Sequence, residues 1–295
     1  MLSSGYTVSP ENRRSILESV GSLLPDLTTE VERLSVTIEI GGIPARVNTT
    51  DHDFLAMLQE RYAGYIVGSA GDPEIEFDVE LARQADPPRD IEVRVSQHAG
   101  RWTLARGDFR AEFEPAKRRG WIRLKPAPYS IDAVLRIVHT LVLAKRGGFL
   151  LHAASAIRND KAFLFAGVSE AGKTTISRLA PPDLTLLTDE ISYVRPQGEG
   201  YAAFGTPFTG ELSKLGENVS APIAALYLLA KGSENRIDPM SAGEAARSLL
   251  ANVLFFAEDE ELVQSVFQTA FEFVRQVPVS RLTFFPDARV WELIR

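Results

Sequence analysis

Residues 162–179 narrow most sharply what this chain can fold into. An apolar run of strand length, Ala162-Phe163-Leu164-Phe165-Ala166, leads into Gly167-Val168-Ser169-Glu170-Ala171-Gly172-Lys173-Thr174-Thr175, and Ile176-Ser177-Arg178-Leu179 follows with helical character. The spacing is GxxxxGK[ST], set between a strand and a helix. The glycines let the backbone wrap closely enough for successive N–H groups to point at phosphate oxygens, and the helix adds the positive end of its dipole. Lys173 is spaced to reach β- and γ-phosphates, and the Thr174 hydroxyl is placed to ligate Mg²⁺. The segment predicts a phosphate-binding loop.

Two flanking segments supply candidate chemistry. Leu184-Thr185-Leu186-Leu187-Thr188 is a second apolar strand, and it ends in Asp189-Glu190. A carboxylate at the C-terminal end of a strand beside the loop strand is where a nucleotide–metal site needs one. One acid can hold Mg²⁺ while the other accepts a proton from an attacking hydroxyl. Upstream, residues 149–157 (FLLHAASAI) read as a strand, and Asn159-Asp160 is a two-residue turn signal. With Arg158 opposite Lys161, His152 falls opposite Gly167, the first glycine of the loop. Arg236 and Arg247 are candidate γ-phosphate stabilisers.

The rest of the chain predicts two domains. Residues 1–128 read as an α+β unit built mostly on antiparallel sheet. It starts with a hairpin at residues 34–47 turning on Gly41-Gly42, followed by a helix capped by Asp51 and Asp53. Strands are expected at residues 75–79, 91–95, 101–104, 109–113 and 120–124, with a Pro87-Pro88 surface loop at 83–90. The boundary is expected at residues 126–129. Ser130 is the expected N-cap of a strongly apolar helix that Gly147-Gly148 ends. Residues 129–295 then alternate strand, loop and helix around the phosphate loop.

Composition removes several classes of function. The 295 residues contain no cysteine, which excludes a disulfide scaffold, a thiolate metal site and a cysteine nucleophile. A net charge of −7 offers no global attraction to nucleic acid. No uncharged apolar run approaches bilayer length. The start lacks the basic and apolar regions of a signal peptide, so the expected compartment is the cytoplasm, with no membrane partner.

LLHAASAIRNDKAFLFAGVSEAGKTT followed by LLTDEISYV resembles the HPr kinase/phosphorylase catalytic domain and its wider family, relatives of the ATP-dependent phosphoenolpyruvate carboxykinases. The resemblance implies a mixed α/β and α+β chain: an HPr kinase-like P-loop domain preceded by the α+β unit. It further implies ATP and Mg²⁺ as cofactors, with transfer of the γ-phosphoryl group to a serine hydroxyl of a protein or peptide. On that reading Gly167 to Thr175 bind the phosphates and Thr174 and Glu190 hold the metal. Asp189 takes the hydroxyl proton, Lys173 neutralises charge, and His152 supports the base. The family contains hexamers, so a homo-oligomer is among the partners it allows. The loop departs from the family in carrying Glu170-Ala171 where a small residue or glycine is usual. A reading of a different class is a nucleotide-sensing protein with little or no transfer chemistry; retention of His152 and the acid pair favours the kinase, because phosphate binding alone needs only the loop.

Overall fold

Strict alternation builds the first sheet. β1 (Leu34–Ile40) and β2 (Ile43–Thr49) pair antiparallel, with Ile40 opposite Ile43. Gly41 and Gly42 close the turn at φ 62° and 71°, the left-handed pair that a two-residue hairpin needs to match strand twist. Asp51 caps α1 (His52–Arg61) by accepting the Phe54 N–H at 2.8 Å, and Phe54 and Leu58 pack inward one turn apart. The computed structural model describes residues 32–68, 72–82, 92–212 and 215–294. The loop expected at residues 83–90 and the first 31 residues lie outside them.

β3 (Ile66–Val67), β4 (Ile75–Leu81), β5 (Arg94–His98), β6 (Arg101–Arg106), β7 (Phe109–Glu114) and β8 (Arg119–Leu124) complete the sheet. Among the described residues it has eight strands in the order β3-β1-β2-β4-β8-β7-β6-β5. Most pairs are antiparallel; β2–β4 and β4–β8 are parallel. The strand expected at residues 91–95 forms a few residues later, as β5. Its register is set by the turn at Ala99 and Gly100, which places His98 opposite Arg101.

Helix α2 (Pro128–Ala144) follows, and it corrects one expectation. Ser130 is not the N-cap: the helix starts at Pro128, whose fixed φ and missing N–H suit a first helical position. Ala127 occupies the cap without a side-chain bond, and the Ser130 hydroxyl donates to Asp108 at 2.7 Å. The helix is buried over most of its circumference. Ile131, Val134, Leu135 and Val138 join a core shared with β1, β2 and β6 to β8, and this core also includes Leu150, Ile191 and Tyr193 of the second sheet.

β9 (Phe149–Arg158) is the spine of that second sheet. It turns through Asn159 and Asp160, at φ 51° and 59°, into β10 (Lys161–Ala166), pairing from Arg158 with Lys161 to Ala153 with Ala166. The remaining elements are α3 (Lys173–Arg178), β11 (Thr185–Thr188), β12 (Ile191–Gln197), β13 (Gly200–Phe204), β14 (Ser220–Lys231), β15 (Arg236–Pro239), α4 (Ala242–Leu250), β16 (Val253–Leu254), α5 (Glu260–Gln276) and β17 (Val279–Phe284). β14 runs parallel to both β10 and β17. Both faces are covered, so β9 and β10 read as near-continuous apolar runs. Leu151, Ala153 and Leu164 pack with Leu249, Ala270 and Phe273 of α4 and α5. Ala154, Phe163 and Phe165 pack on the other face with Ile176, Val290 and Trp291.

The residues from Leu34 to Arg295 cluster as one compact unit. The architecture is mixed α/β with large, mainly antiparallel sheets. No helix among the described residues is long and apolar enough to cross a membrane.

Candidate functional site

A strand that exchanges neighbours on both edges opens the site. Along one edge of β9, residues 155–157 pair with β11, and residues 149–152 pair with β12. Asp189 and Glu190 bridge those two strands and so sit opposite the middle of β9. Along the other edge β10 leaves after Ala153, while Leu150 and Leu151 pair with β16. His152 lies at this exchange, with its backbone N–H donating to the Asn252 carbonyl at 2.8 Å. Diverging strands leave a crevice at their C-terminal ends, as at the switch points of open α/β sheets.

The crevice is a cleft of about 480 Å³. It is lined by His152, the loop residues Ser169, Glu170, Gly172, Lys173, Thr174 and Thr175, the acids Asp189 and Glu190, and Gly210, Glu211 and Lys231. The tertiary structure thus gathers the histidine, the phosphate loop and both acids around one space. Gly167, Val168 and Ala171 belong to the loop but are not part of the cleft wall. A cavity of about 520 Å³ lies against the first sheet between Asp51 and Arg123. It has no phosphate loop, so size alone does not locate the chemistry.

The loop is shaped by its own backbone and by one ammonium. Gly172 sits at φ 114°, and a Cβ there would fall 2.6 Å from the Phe284 ring, so no other residue fits without displacing that ring. Glu170 also adopts left-handed backbone, at φ 64°, which costs a non-glycine residue roughly 1–2 kcal/mol. Lys173 is buried, and its Nζ donates to the carbonyls of Gly167 at 2.8 Å and Val168 at 3.3 Å, drawing the loop around the charge. Burial lowers the Lys173 pKa, and the Glu190 carboxylate opposes that shift. The helix after the loop is anchored by Trp291, whose Nε1 donates to the Ile176 carbonyl at 3.2 Å.

The two acids are held differently. Asp189 is 3 % exposed; its Oδ1 accepts the Gly210 N–H at 2.9 Å and its Oδ2 the Leu212 N–H at 3.0 Å. Gly210 is required by this contact, because a Cβ there would lie 2.9 Å from Asp189 Oδ2. Asp189 therefore fixes the 210–212 loop across the cleft. Among the described residues no hydrogen bond holds the Glu190 carboxylate. Burial raises its pKa, Arg136 and Lys173 oppose the rise, and Asp189 and Asp132 add to it. His152 is half-buried, and burial, with the charges of Lys173 and Arg136, holds its pKa below the usual histidine value.

Two cations of the site were not singled out by sequence reasoning. Lys231 ends β14, whose Leu228 pairs with Ala166 at the mouth of the loop. Arg136 projects from α2 to within 3.8 Å of Glu190 Oε2. The available signal was a charge pair at helical spacing, Asp132 and Arg136, inside an otherwise apolar helix. Asp132 is already answered: Arg61 of α1 donates to it at 2.6 Å, and the Tyr62 hydroxyl donates to its other oxygen. Arg236 and Arg247 do not line the cleft. Arg236 is exposed and paired with Glu234 at 2.8 Å and Asp238 at 2.9 Å.

Hard oxygen donors from Thr174 and one carboxylate fit Mg²⁺, which keeps several waters and shares substrate phosphates and so needs few protein ligands. The described residues contain no cluster of three or more acids or histidines placed to hold a metal ion together.

Residues 128–295 match the family model described as SynChlorMet cassette protein ScmC. This overturns the resemblance to the HPr kinase family. No curated protein matches the chain.

Proposed function

The chain belongs to the ScmC family, and from the residues gathered in its cleft we propose that it is an ATP- and Mg²⁺-dependent phosphotransferase acting on a hydroxyl of a protein or peptide. The observation that carries the reading is the meeting of Lys173, Thr174 and Thr175 with His152, Asp189 and Glu190 around one cleft. Its volume falls within the roughly 300–1,000 Å³ of small-molecule sites. Phosphate oxygens replace the Gly167 and Val168 carbonyls as acceptors for the Lys173 ammonium, and the loop N–H groups hold the rest of the triphosphate. Lys231 adds positive charge at the mouth. Mg²⁺, when bound by Thr174 and a carboxylate of the pair, neutralises charge on the phosphates.

In the transfer, the acceptor oxygen bonds to the γ-phosphorus as the bond from that phosphorus to the bridging oxygen breaks, and ADP leaves. The hydroxyl proton needs an acceptor. Asp189 was the residue expected for it, but its oxygens hold the 210–212 loop. Glu190 has no such bonds, and burial raises its proton affinity. We assign the proton to Glu190 and the positioning of the loop to Asp189, whose remaining lone pairs would serve the metal. His152, whose pKa burial holds below the usual histidine value, lines the cleft with Glu190 as a hydrogen-bonding partner for the acceptor.

γ-Labelled ATP, Mg²⁺ and serine- or threonine-containing peptides encoded beside the chain test the proposal. Label transfer is expected from the wild type, with loss in Lys173→Ala and a fall of about 10²-fold or more in kcat for Glu190→Gln. Tight ATP binding with neither label transfer nor ADP release overturns it. That outcome favours a nucleotide-sensing protein, a reading supported by the Asp189 link to the 210–212 loop, which could relay occupancy of the cleft.

A further inference from the structure

A second cavity, of about 310 Å³, shares His152 and Glu190 with the nucleotide cleft but includes none of the phosphate-loop residues. Arg136, Ile191, Val253 and Leu254 form most of its remaining wall. His152 and Glu190 therefore border both spaces. A transfer reaction needs a donor site and an acceptor site that adjoin at the groups that handle the proton.

Arg136 gives the second space its chemistry. Its guanidinium lies over the Phe208 ring at 4.8 Å and is largely buried. Asp132, one helical turn away, is taken by Arg61 and Tyr62. The Glu190 oxygen at 3.8 Å is beyond hydrogen-bonding distance, and Arg136 Nε is buried with no partner. Buried donors are ordinarily satisfied; with Nε unpartnered and Glu190 only loosely paired, the guanidinium keeps capacity for a further acceptor. A carboxylate matches the planar fork. A dianion does not, since Glu190 shares the same wall. The aliphatic side chains of Ile191, Val253 and Leu254 suit a short uncharged body between the anion and the hydroxyl.

We propose that this second cavity is the acceptor site, and that the acceptor carries a carboxylate beside its hydroxyl, bound by Arg136 while the hydroxyl faces His152 and Glu190. The proposal rests on the phosphotransferase reading and adds the acceptor class to it. The carboxylate is either the end of a peptide chain or the side chain of a neighbouring acidic residue.

The test follows the methyl groups of Ile191, Val253 and Leu254 by NMR in the full chain, with Mg²⁺ and a non-hydrolysable ATP analogue. Three probes are titrated: N-acetylserine, N-acetylserinamide, and an acetylated serine–aspartate dipeptide amide. Saturable shifts are expected with at least one carboxylate probe, and about tenfold weaker binding of the neutral amide, the discrimination of one charge-assisted hydrogen bond. Whichever carboxylate probe binds more tightly identifies the source. The preference should disappear in Arg136→Ala and weaken in Arg136→Lys, which keeps the charge but loses the fork. Equal binding of the neutral amide, a preference that survives in the variants, or no shift of these methyls with any probe overturns the proposal. Binding of the analogue is read separately. If the analogue fails to bind, the phosphotransferase reading falls; if it binds and the carboxylate preference is missing, only the acceptor site falls.

Discussion

Replacing Asp189 by Asn separates the structural role of that residue from a chemical one. Each of its oxygens accepts a backbone N–H, from Gly210 at 2.9 Å and Leu212 at 3.0 Å, in a site that is 3 % exposed. Asparagine keeps one carbonyl acceptor and turns its NH₂ toward the second N–H. One hydrogen bond to a charged acceptor is lost, worth about 1.5–3 kcal/mol, and a buried donor is left without a partner. The side chain has little room to rearrange, because the Gly210 backbone passes close against it. A total of about 3 kcal/mol follows, and at roughly 2–4 °C per kcal/mol for a chain of this size the Tm should fall by about 6–12 °C. Differential scanning calorimetry at pH 7 measures it, and hydrogen exchange at the Gly210 and Leu212 amides should speed up in the variant. A Tm within about 2 °C of the wild type, with both amides still protected, would refute the latch. The consequence for function is direct: lost activity in Asp189→Asn does not by itself identify a catalytic base, whereas Glu190→Gln disturbs no hydrogen-bonded loop.

Two further outcomes are expected. His139 is buried in α2 with Nδ1 3.2 Å from the Tyr193 hydroxyl and Nε2 unpartnered, and burial pushes its pKa down to about 3. Between the ordinary value of 6.5 and about 3 the unfolded chain binds a proton that the folded chain refuses, so stability falls as pH drops through that window, by up to about 1.4 kcal/mol per pH unit. Urea unfolding of His139→Met from pH 7 to 4 should show a slope shallower by that amount, and an unchanged slope would refute the assignment. Glu170→Gly removes the cost of left-handed backbone at φ 64°. Part of the gain is offset by the greater freedom of glycine in the unfolded chain, leaving a stabilisation of about 0.5–1 kcal/mol; a lower Tm would show that the Glu170 side chain makes a compensating contact.

The Gly41-Gly42 and Asn159-Asp160 turns, the Asp51 cap and the alternation of β1 were legible in the sequence because each is a local event, settled within a few residues by backbone sterics or one side-chain hydrogen bond. The glycine-rich turn between β10 and α3 was legible for the same reason. Errors arose where distant contacts compete with local preference. Ser130 has the chemistry of an N-cap, yet Asp108 captures its hydroxyl and Pro128 starts the helix. The resemblance to HPr kinases rested on a short run of motifs, whereas the family model matches across residues 128–295.

The sequence by itself determined a glycine-rich loop between a strand and a helix, the register of the hairpin from β9 to β10, and an acid pair at the end of a third strand. It could not show that the 210–212 loop, 21 to 23 residues along the chain, closes on Asp189 and not on Glu190. Nor could it bring Arg136 to Glu190. Arg61 of α1 and the adjacent Tyr62 satisfy Asp132, so α2 can lie buried beside the second sheet with Arg136 directed to Glu190. Local geometry follows from neighbouring residues, whereas the partition of charge within the site is set by which distant groups burial forces together.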